Sequence, residues 1–192
     1  MAKATGVLLV ALLCSMMLVL PAVQGIAFDP KSVEEWFDKL SHKREKLTRL
    51  HFYIHNILSG EQPTAVKVVL PKSSGNFDFG LIEMFDDPMT LGPELDSTTI
   101  GQLQGSFSSA GIKEMSLVNT FILNFKGGEY HGSTLILLGR NGPYYPFREL
   151  SVVGGTGVFR LARGIATVNT YRIDNVTADG TAEYHMNVLH YE

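Results

Sequence analysis

The sequence predicts an all-β fold in which antiparallel strands form a sandwich or a closed barrel. From Leu50 onward, apolar and polar residues alternate with the period of two that marks half-buried strands. Turn-forming pairs such as Ser59-Gly60 and Gly127-Gly128 separate the strand-like segments, and no helical pattern lies between them. Eight or nine strands at this spacing are typical of antiparallel sandwiches and barrels.

The strand-like segments follow one another from residue 50 to the end of the chain. The predicted strands cover residues 50–58, 65–70, 79–86, 101–109, 116–126, 130–139, 148–153, 158–172 and 181–191. Asp86-Asp87-Pro88 ends the third of them, and Asp before Pro at a strand end is ordinary turn chemistry. A turn is therefore favoured there, with a paired-carboxylate site at a cavity mouth as the alternative.

Residues 148–164 indicate a hairpin and a hollow interior. Gly154-Gly155-Thr156-Gly157 lacks the Lys-Ser/Thr ending of a phosphate-binding loop and is interpreted as a hairpin turn. After this turn, one alternating face carries mostly small side chains, namely Val158, Ala162, Gly164, Ala166, Val168 and Thr170. Small inward side chains leave space in a sheet that closes on itself, so this face favours a hollow barrel.

The N-terminal residues are expected to lie outside the barrel. Residues 1–25 combine Lys3, an apolar run through Leu20 and small residues up to Gly25, the pattern of a cleaved secretory signal; an uncleaved anchor is the alternative. Cleavage would remove Cys14, the single cysteine, and leave no disulfide. Residues 26–47 predict a short helical arm, either mobile or laid against the barrel, and residues 48–192 form one domain.

Charge and spacing exclude several classes of function. A formal net charge of −3 gives no basis for binding nucleic acid or an anionic membrane. His51 and His55 would lie about 13 Å apart along a strand, too far to share a metal ion, so no metal site is predicted. Asn175-Val176-Thr177 is a glycosylation sequon in a polar stretch that predicts a hairpin loop.

Alternation places one amide on the apolar face of the first strand. Asn56 shares that face with Phe52, Ile54 and Leu58. A buried amide must be hydrogen-bonded within the protein or meet a ligand, and the pattern leaves both possibilities open.

Several ordered blocks together make the chain resemble the plant dirigent protein family over residues 48–191. The blocks are His51-Phe52-Tyr53-Ile54-His55-Asn56-Ile57-Leu58, Phe85-Asp86-Asp87-Pro88-Met89-Thr90, Gly101-Gln102-Leu103-Gln104-Gly105, Gly132-Ser133-Thr134-Leu135 and residues 148–166. The resemblance implies an eight-stranded antiparallel barrel similar to allene oxide cyclase, assembled as a homotrimer and secreted to the apoplast and cell wall.

The resemblance also implies a function. Family members bind phenoxy radicals or quinone methides of phenylpropanoid metabolism and steer their coupling, while a laccase or peroxidase generates the radical; no cofactor is expected. The alternative is a lyase or cyclase similar to pterocarpan synthases, which dehydrate isoflavanols. Gly139-Arg140-Asn141 is similar to the non-lignan subgroups that include these enzymes.

The resemblance places the site residue by residue. Asn56 and Asn141 stand where lignan-forming dirigents have acids, and an amide cannot act as a general acid. Arg148 matches the pocket arginine and Thr170 a pocket threonine. The expected catalytic set is thus Arg148, Asn56 and Asn141, with Thr170 and an apolar lining of Phe52, Ile54, Leu58 and Phe107. A surface salt bridge to an acid such as Glu149 is the alternative role for Arg148.

Overall fold

The computed structural model describes residues 28–71 and 77–192. Within these residues there is one α-helix, α1 (Pro30–Asp38), followed by a 3₁₀ turn at Leu40–His42. The strands are β1 (Glu45–Asn56), β2 (Ala65–Val69), β3 (Ile82–Thr90), β4 (Thr99–Ser109), β5 (Leu117–Phe125), β6 (Thr134–Asn141), β7 (Arg148–Thr156), β8 (Arg163–Ile173) and β9 (Gly180–Tyr191).

Eight of these strands close into an antiparallel barrel, which confirms the predicted fold. The sheet runs in the order β1-β9-β8-β7-β6-β5-β4-β3-β2, and β1 also pairs with β3. On one edge β1 pairs with β9 along its whole length, from Glu45 opposite Tyr191 to Asn56 opposite Gly180. On the other edge it meets β3 at Tyr53 and Ile54, and this short contact closes the ring. The ninth strand, β2, pairs with the first half of β3.

One half of the barrel is filled with side chains and the other half is hollow. Apolar residues that are almost fully buried occupy the filled half, including Leu123, Leu135, Leu137, Phe125, Phe159, Met186 and Val188. No disulfide links the described residues to one another. Tightly packed apolar side chains therefore supply most of the stability of this domain. The hollow half therefore depends on the filled half for its rigidity.

The turn predicted at Asp86-Asp87-Pro88 is wrong. Strand β3 continues through these residues to Thr90, opposite Gln104, Leu103 and Gln102 of β4. Pro88 lacks an amide hydrogen, but the short β1 contact leaves this part of β3 near a sheet edge, where proline is tolerated. Because side chains alternate, Phe85, Asp87 and Met89 point inward.

The glycine-rich turn lies later than predicted. β7 includes Gly154, Gly155 and Thr156, and the chain reverses through a 3₁₀ turn at Gly157–Phe159 before β8 begins at Arg163. Gly157 has a φ of 65° and Leu161 a φ of 57°, the left-handed conformations that this reversal requires. Of the predicted small-residue face, Val158 and Ala162 thus lie in the loop, whereas Ala166 and Val168 are buried inside the barrel.

The helical arm is shorter than the predicted residues 26–47 and lies against the barrel. Asp29 caps α1, since its Oδ1 accepts from the Ser32 amide at 3.1 Å. The Trp36 ring lies 5.5 Å from the Arg160 guanidinium of the β7–β8 loop. β1 begins at Glu45, earlier than expected. The predicted secretory signal at residues 1–25 lies outside the described residues.

No helix within residues 28–71 and 77–192 has the length and apolar character needed to cross a lipid bilayer.

We expect the filled half of the barrel to determine stability. Leu123→Ala, at a side chain with 0% exposure, should lower the free energy of unfolding by about 2–5 kcal/mol because it leaves a cavity in the core. Thr120→Ala, on the outer face of the same strand, is the matched control and should change it by only about 0.5 kcal/mol. Urea denaturation followed by circular dichroism measures both; equal losses would contradict the assignment.

Candidate functional site

The hollow half of the barrel contains a cavity of ≈ 200 Å³. It lies where β1 ends and β9 begins, and strands β3 to β8 complete its wall. Most of the wall is apolar, formed by Ile54, Phe85, Leu103, Phe107, Leu117, Phe121, Val168, Ile173 and Ala182. Polar side chains interrupt this surface at a few positions, the usual composition of a small-molecule site.

Most residues predicted for the site lie together in this wall. Asn56, Asn141, Arg148 and Thr170 contribute its polar groups, and Ile54 and Phe107 belong to its apolar surface. Because these residues come from β1, β4, β6, β7 and β8, closure of the barrel is what brings them together.

Two predicted lining residues lie elsewhere. Phe52 points inward but sits in the filled half, 1% exposed, with its ring stacked on Tyr184 at a centroid distance of 5.3 Å. Leu58 follows the end of β1 and packs against the core, and its amide donates to Asp179 Oδ1 at 2.8 Å. Neither side chain belongs to the cavity wall.

Arg148 is buried at the first residue of β7. Its side chain is 8% exposed, and Nη1 donates to Thr170 Oγ1 at 3.0 Å and to the Tyr145 carbonyl oxygen at 3.3 Å. Burial lowers the pKa of the guanidinium, which nevertheless remains charged because arginine starts so far above neutrality. The structure therefore disagrees with the surface salt bridge considered as an alternative, and Nε has no hydrogen-bond partner among the described residues.

Asp87 is a site residue that sequence reasoning assigned to a turn. Its side chain is 2% exposed, and Oδ1 accepts from Thr64 Oγ1 at 2.6 Å while Oδ2 accepts from Asn56 Nδ2 at 3.1 Å. Burial raises its pKa to about 7, assisted by the nearby charges of Glu83 and Asp86 and opposed by the two hydrogen bonds. Near neutral pH the cavity thus holds a carboxyl group that can donate a proton.

Asn56 acts on this carboxyl group through a hydrogen bond. An amide cannot transfer a proton, so Asn56 has no general-acid role of its own. By donating to Asp87 it fixes the orientation of the acid that faces the cavity. The sequence signal for Asp87 was present, since it lies two residues from the inward Phe85 and Met89 on an alternating strand.

Three further polar groups lie in the cavity wall. The side-chain oxygens of Asn119 and Asn141 are buried without a hydrogen-bond partner among the described residues. Tyr184 is 4% exposed, and burial raises the pKa of its phenol, so the hydroxyl stays protonated. Tyr184 lines the same cavity as Arg148 and Asp87. Sequence reasoning missed Asn119 and Tyr184, each of which is inward on its own strand.

This arrangement is suited to a ligand that is flat, apolar and oxygenated. Buried polar atoms are nearly always hydrogen-bonded in proteins, and unpartnered atoms in a cavity wall are available to a ligand. The wall offers one cation, one carboxyl group with a raised pKa, a phenol and amides around an aromatic surface. Among the described residues that line the wall, Asp87 is the one carboxyl group and there is neither His nor Cys, so these residues do not form the ligand set of a transition-metal centre.

Comparison with known proteins agrees with this architecture. The family model for dirigent-like proteins matches residues 47–189. The chain is 40% identical over 179 residues to dirigent protein 1 of Arabidopsis thaliana, covering 91% of this chain and 97% of the relative. It is 42% identical over 155 residues to pterocarpan synthase 1 of Glycyrrhiza echinata, covering 79% and 82% of the two chains.

Solved structures give the same result. A pterocarpan synthase dirigent protein superposes with a TM-score of 0.74 at 42% identity, over 78% of this chain and 93% of that one. A match to most of the barrel at this level of identity extends beyond the fold to the family. The chain therefore belongs to the dirigent-like protein family.

Proposed function

We propose that the cavity binds a planar phenolic intermediate of phenylpropanoid metabolism, a phenoxy radical or a quinone methide, and directs the stereochemistry of its coupling. A separate laccase or peroxidase supplies the radical, and the barrel itself does not oxidise the phenol. The observation that supports this proposal most strongly is the set of unpartnered polar atoms of Arg148, Asn119 and Asn141 in a mostly apolar cavity.

The size and lining of the cavity match such a ligand. A volume of ≈ 200 Å³ is below the roughly 300–1,000 Å³ of sites for drug-sized molecules, so it suits a single substituted aromatic ring. Phe85, Phe107 and Phe121 supply aromatic surface for that ring. An apolar wall also excludes water, which otherwise adds to a quinone methide.

The polar groups hold the oxygen atoms of the ligand. Arg148 stabilises negative charge on a phenolic or quinone oxygen, because its guanidinium is charged, donor-only and partly desolvated. Asn141 and Thr170 orient the ring substituents. Selecting one face of the ligand needs little energy, since about 1.4 kcal/mol of differential binding gives a tenfold preference.

A second candidate function is that of a hydro-lyase acting through a quinone methide, and Asp87 is the observation that favours it. A carboxyl group with a pKa of about 7 is protonated for a large part of the time near neutrality. Its proton passes to a leaving hydroxyl group, the carbon–oxygen bond breaks, and water departs. The guanidinium of Arg148 stabilises the negative charge on the ligand's phenol oxygen, whose electrons drive the elimination. The relatives named as pterocarpan synthases support this alternative.

We further propose that the protein is secreted to the apoplast, glycosylated at Asn175 and assembled as a homotrimer. Asn175 lies exposed in the β8–β9 turn, where the sequon was expected. Apolar side chains are exposed on two outer faces of the barrel, and such patches commonly mark subunit contacts: Val66, Val68 and Met84 on β2 and β3, and Val118, Ile122 and Leu138 on β5 and β6.

The two functions differ in whether an oxidant is needed. With coniferyl alcohol and laccase, the stereo-directing function should yield an enantiomeric excess in the coupled product, measured by chiral chromatography. The hydro-lyase should instead convert a cis-isoflavanol without oxidant. Racemic coupling products together with an unchanged isoflavanol would contradict both proposals.

Arg148→Ala should abolish the product bias in either assay, because it removes the cation that holds the ligand oxygen. Arg163→Ala is the matched control, since Arg163 pairs with Glu45 on the outer surface. It should leave the bias unchanged.

Asp87 gives a pH dependence that the hydro-lyase should follow. The group is active when protonated, so the rate should be highest below pH 7 and fall as the pH rises through about 7. Asp87→Asn should abolish dehydration, while leaving a dirigent coupling bias largely in place. Full lyase activity in the variant would remove Asp87 from the mechanism.

The same substitution has a readout in stability. The folded-state pKa of Asp87 is raised above the ordinary aspartate value of 3.8, so the wild-type protein should lose stability as the pH rises from about 4 to about 7. Asp87→Asn should lessen that loss, which thermal melts across this pH range measure.

Secretion, glycosylation and assembly are tested together on protein expressed in a plant host. We expect the protein in the extracellular fluid, a mass decrease on enzymatic deglycosylation that Asn175→Gln prevents, and a light-scattering mass of three chains. A monomeric mass would overturn the trimer.

A further inference from the structure

Three side chains that can bind metals converge on the outer face of the barrel. His51 of β1 and His185 of β9 are direct partners in the antiparallel register. Glu183 lies two residues before His185 and shares its outer face, whereas Tyr184 between them points into the cavity. Along β1, His51 and His55 are too far apart to share a metal ion, but pairing across the strands places His51 beside His185.

The ligand atoms of these residues are close to one another. Glu183 Oε1 lies 2.8 Å from His51 Nε2 and 3.4 Å from His185 Nε2, and all three ligand atoms lie within 4.8 Å of one another. The two imidazole rings are stacked, with centroids 4.3 Å apart and planes 9° apart. Two ligands bound tetrahedrally at ~2.0–2.2 Å are roughly 3.3 Å apart, so modest rotation of the two half-exposed histidine side chains suffices.

Hydrogen bonds from two neighbouring side chains hold the Glu183 carboxylate in place. Tyr53 Oη donates to Glu183 Oε1 at 3.1 Å, and Asn169 Nδ2 donates to Oε2 at 3.0 Å. Glu183 is only 19% exposed, although its neighbours His51 and His185 are about half exposed. Metal-binding carboxylates are characteristically oriented by such outer hydrogen bonds. His55 is not available to the cluster, since its Nε2 is hydrogen-bonded to Thr90 Oγ1 at 2.7 Å.

We propose that His51, Glu183 and His185 form an exterior binding site for a divalent transition-metal ion of the zinc type. Two imidazole nitrogens and one carboxylate oxygen form the ligand set that Zn²⁺ and its neighbours in the first transition row prefer. The exposure of both histidines leaves the remaining coordination positions open to water. Because the ligands come from β1 and β9, the bound ion ties together the two strands with the longest pairing in the barrel.

The rival explanation is a surface network of histidine–glutamate hydrogen bonds without a metal. Isothermal titration of the untagged full chain with ZnCl₂ distinguishes the two. The site should bind one Zn²⁺ per chain, and MgCl₂, a cation that prefers oxygen ligands, should give no saturable heat. Zn²⁺ should also raise the melting temperature, because only the folded chain brings the three ligands together.

Single substitutions test whether the Zn²⁺ ion binds at this cluster. His185→Gln removes one ligand and should abolish saturable binding and the rise in melting temperature, while His131→Gln, at an exposed histidine outside the cluster, should leave both unchanged. Asn169→Ala keeps all three ligands but should weaken affinity about tenfold, since it releases the carboxylate. Absence of saturable Zn²⁺ binding by the wild-type chain, or equal binding by His185→Gln, would overturn the proposal and leave the hydrogen-bond network as the explanation.

Discussion

The fold depends on closure of the barrel, which requires β1 to form backbone hydrogen bonds with both β9 and β3. β1 pairs with β9 over twelve positions but reaches β3 at only two, Tyr53 and Ile54. The shortness of that second contact leaves room for β2 to pair with the start of β3, and it leaves Pro88 at a position where a missing amide hydrogen is harmless. Every polar group of the cavity comes from a strand whose place in the ring this contact determines.

Within the closed ring, burial and hydrogen bonding act against each other at the cavity. Asp87 accepts two hydrogen bonds that favour its charged form, yet the cost of burying a charge is greater, and its pKa rises. Burial lowers the pKa of Arg148, but the guanidinium keeps its charge because the pKa of arginine starts so far above neutrality. The apolar wall therefore places a carboxyl group with a raised pKa and a permanently charged guanidinium in the same cavity.

The sequence was sufficient to predict the fold class and many residues of the cavity wall. It could not predict how far along the barrel each inward residue lies. Alternation placed Ile54 inside, and with it Phe52, which lies too deep to reach the cavity; Phe107, which does line the cavity, was expected there only from the resemblance to the dirigent family. A period of two reports which face a residue occupies and not how far along the barrel it lies. Asp87 was assigned to a turn because Asp-Pro usually ends a strand, and the tertiary contact that overrides this tendency is invisible locally. Asn119 and Tyr184 become neighbours of Arg148 only when distant strands meet.

The division of the barrel into a packed half and a hollow half affects how the protein can change over evolutionary time. Each long strand contributes one end to the core and the other end to the wall of the cavity, as β5 does with Leu123 and Asn119. Substitution of a polar wall residue such as Asn119 leaves the core side chain of Leu123 on the same strand in place, so ligand preference can change there with little effect on the filled half. The same barrel can thus change the ligand that it binds in the hollow half while the packing of the filled half stays constant.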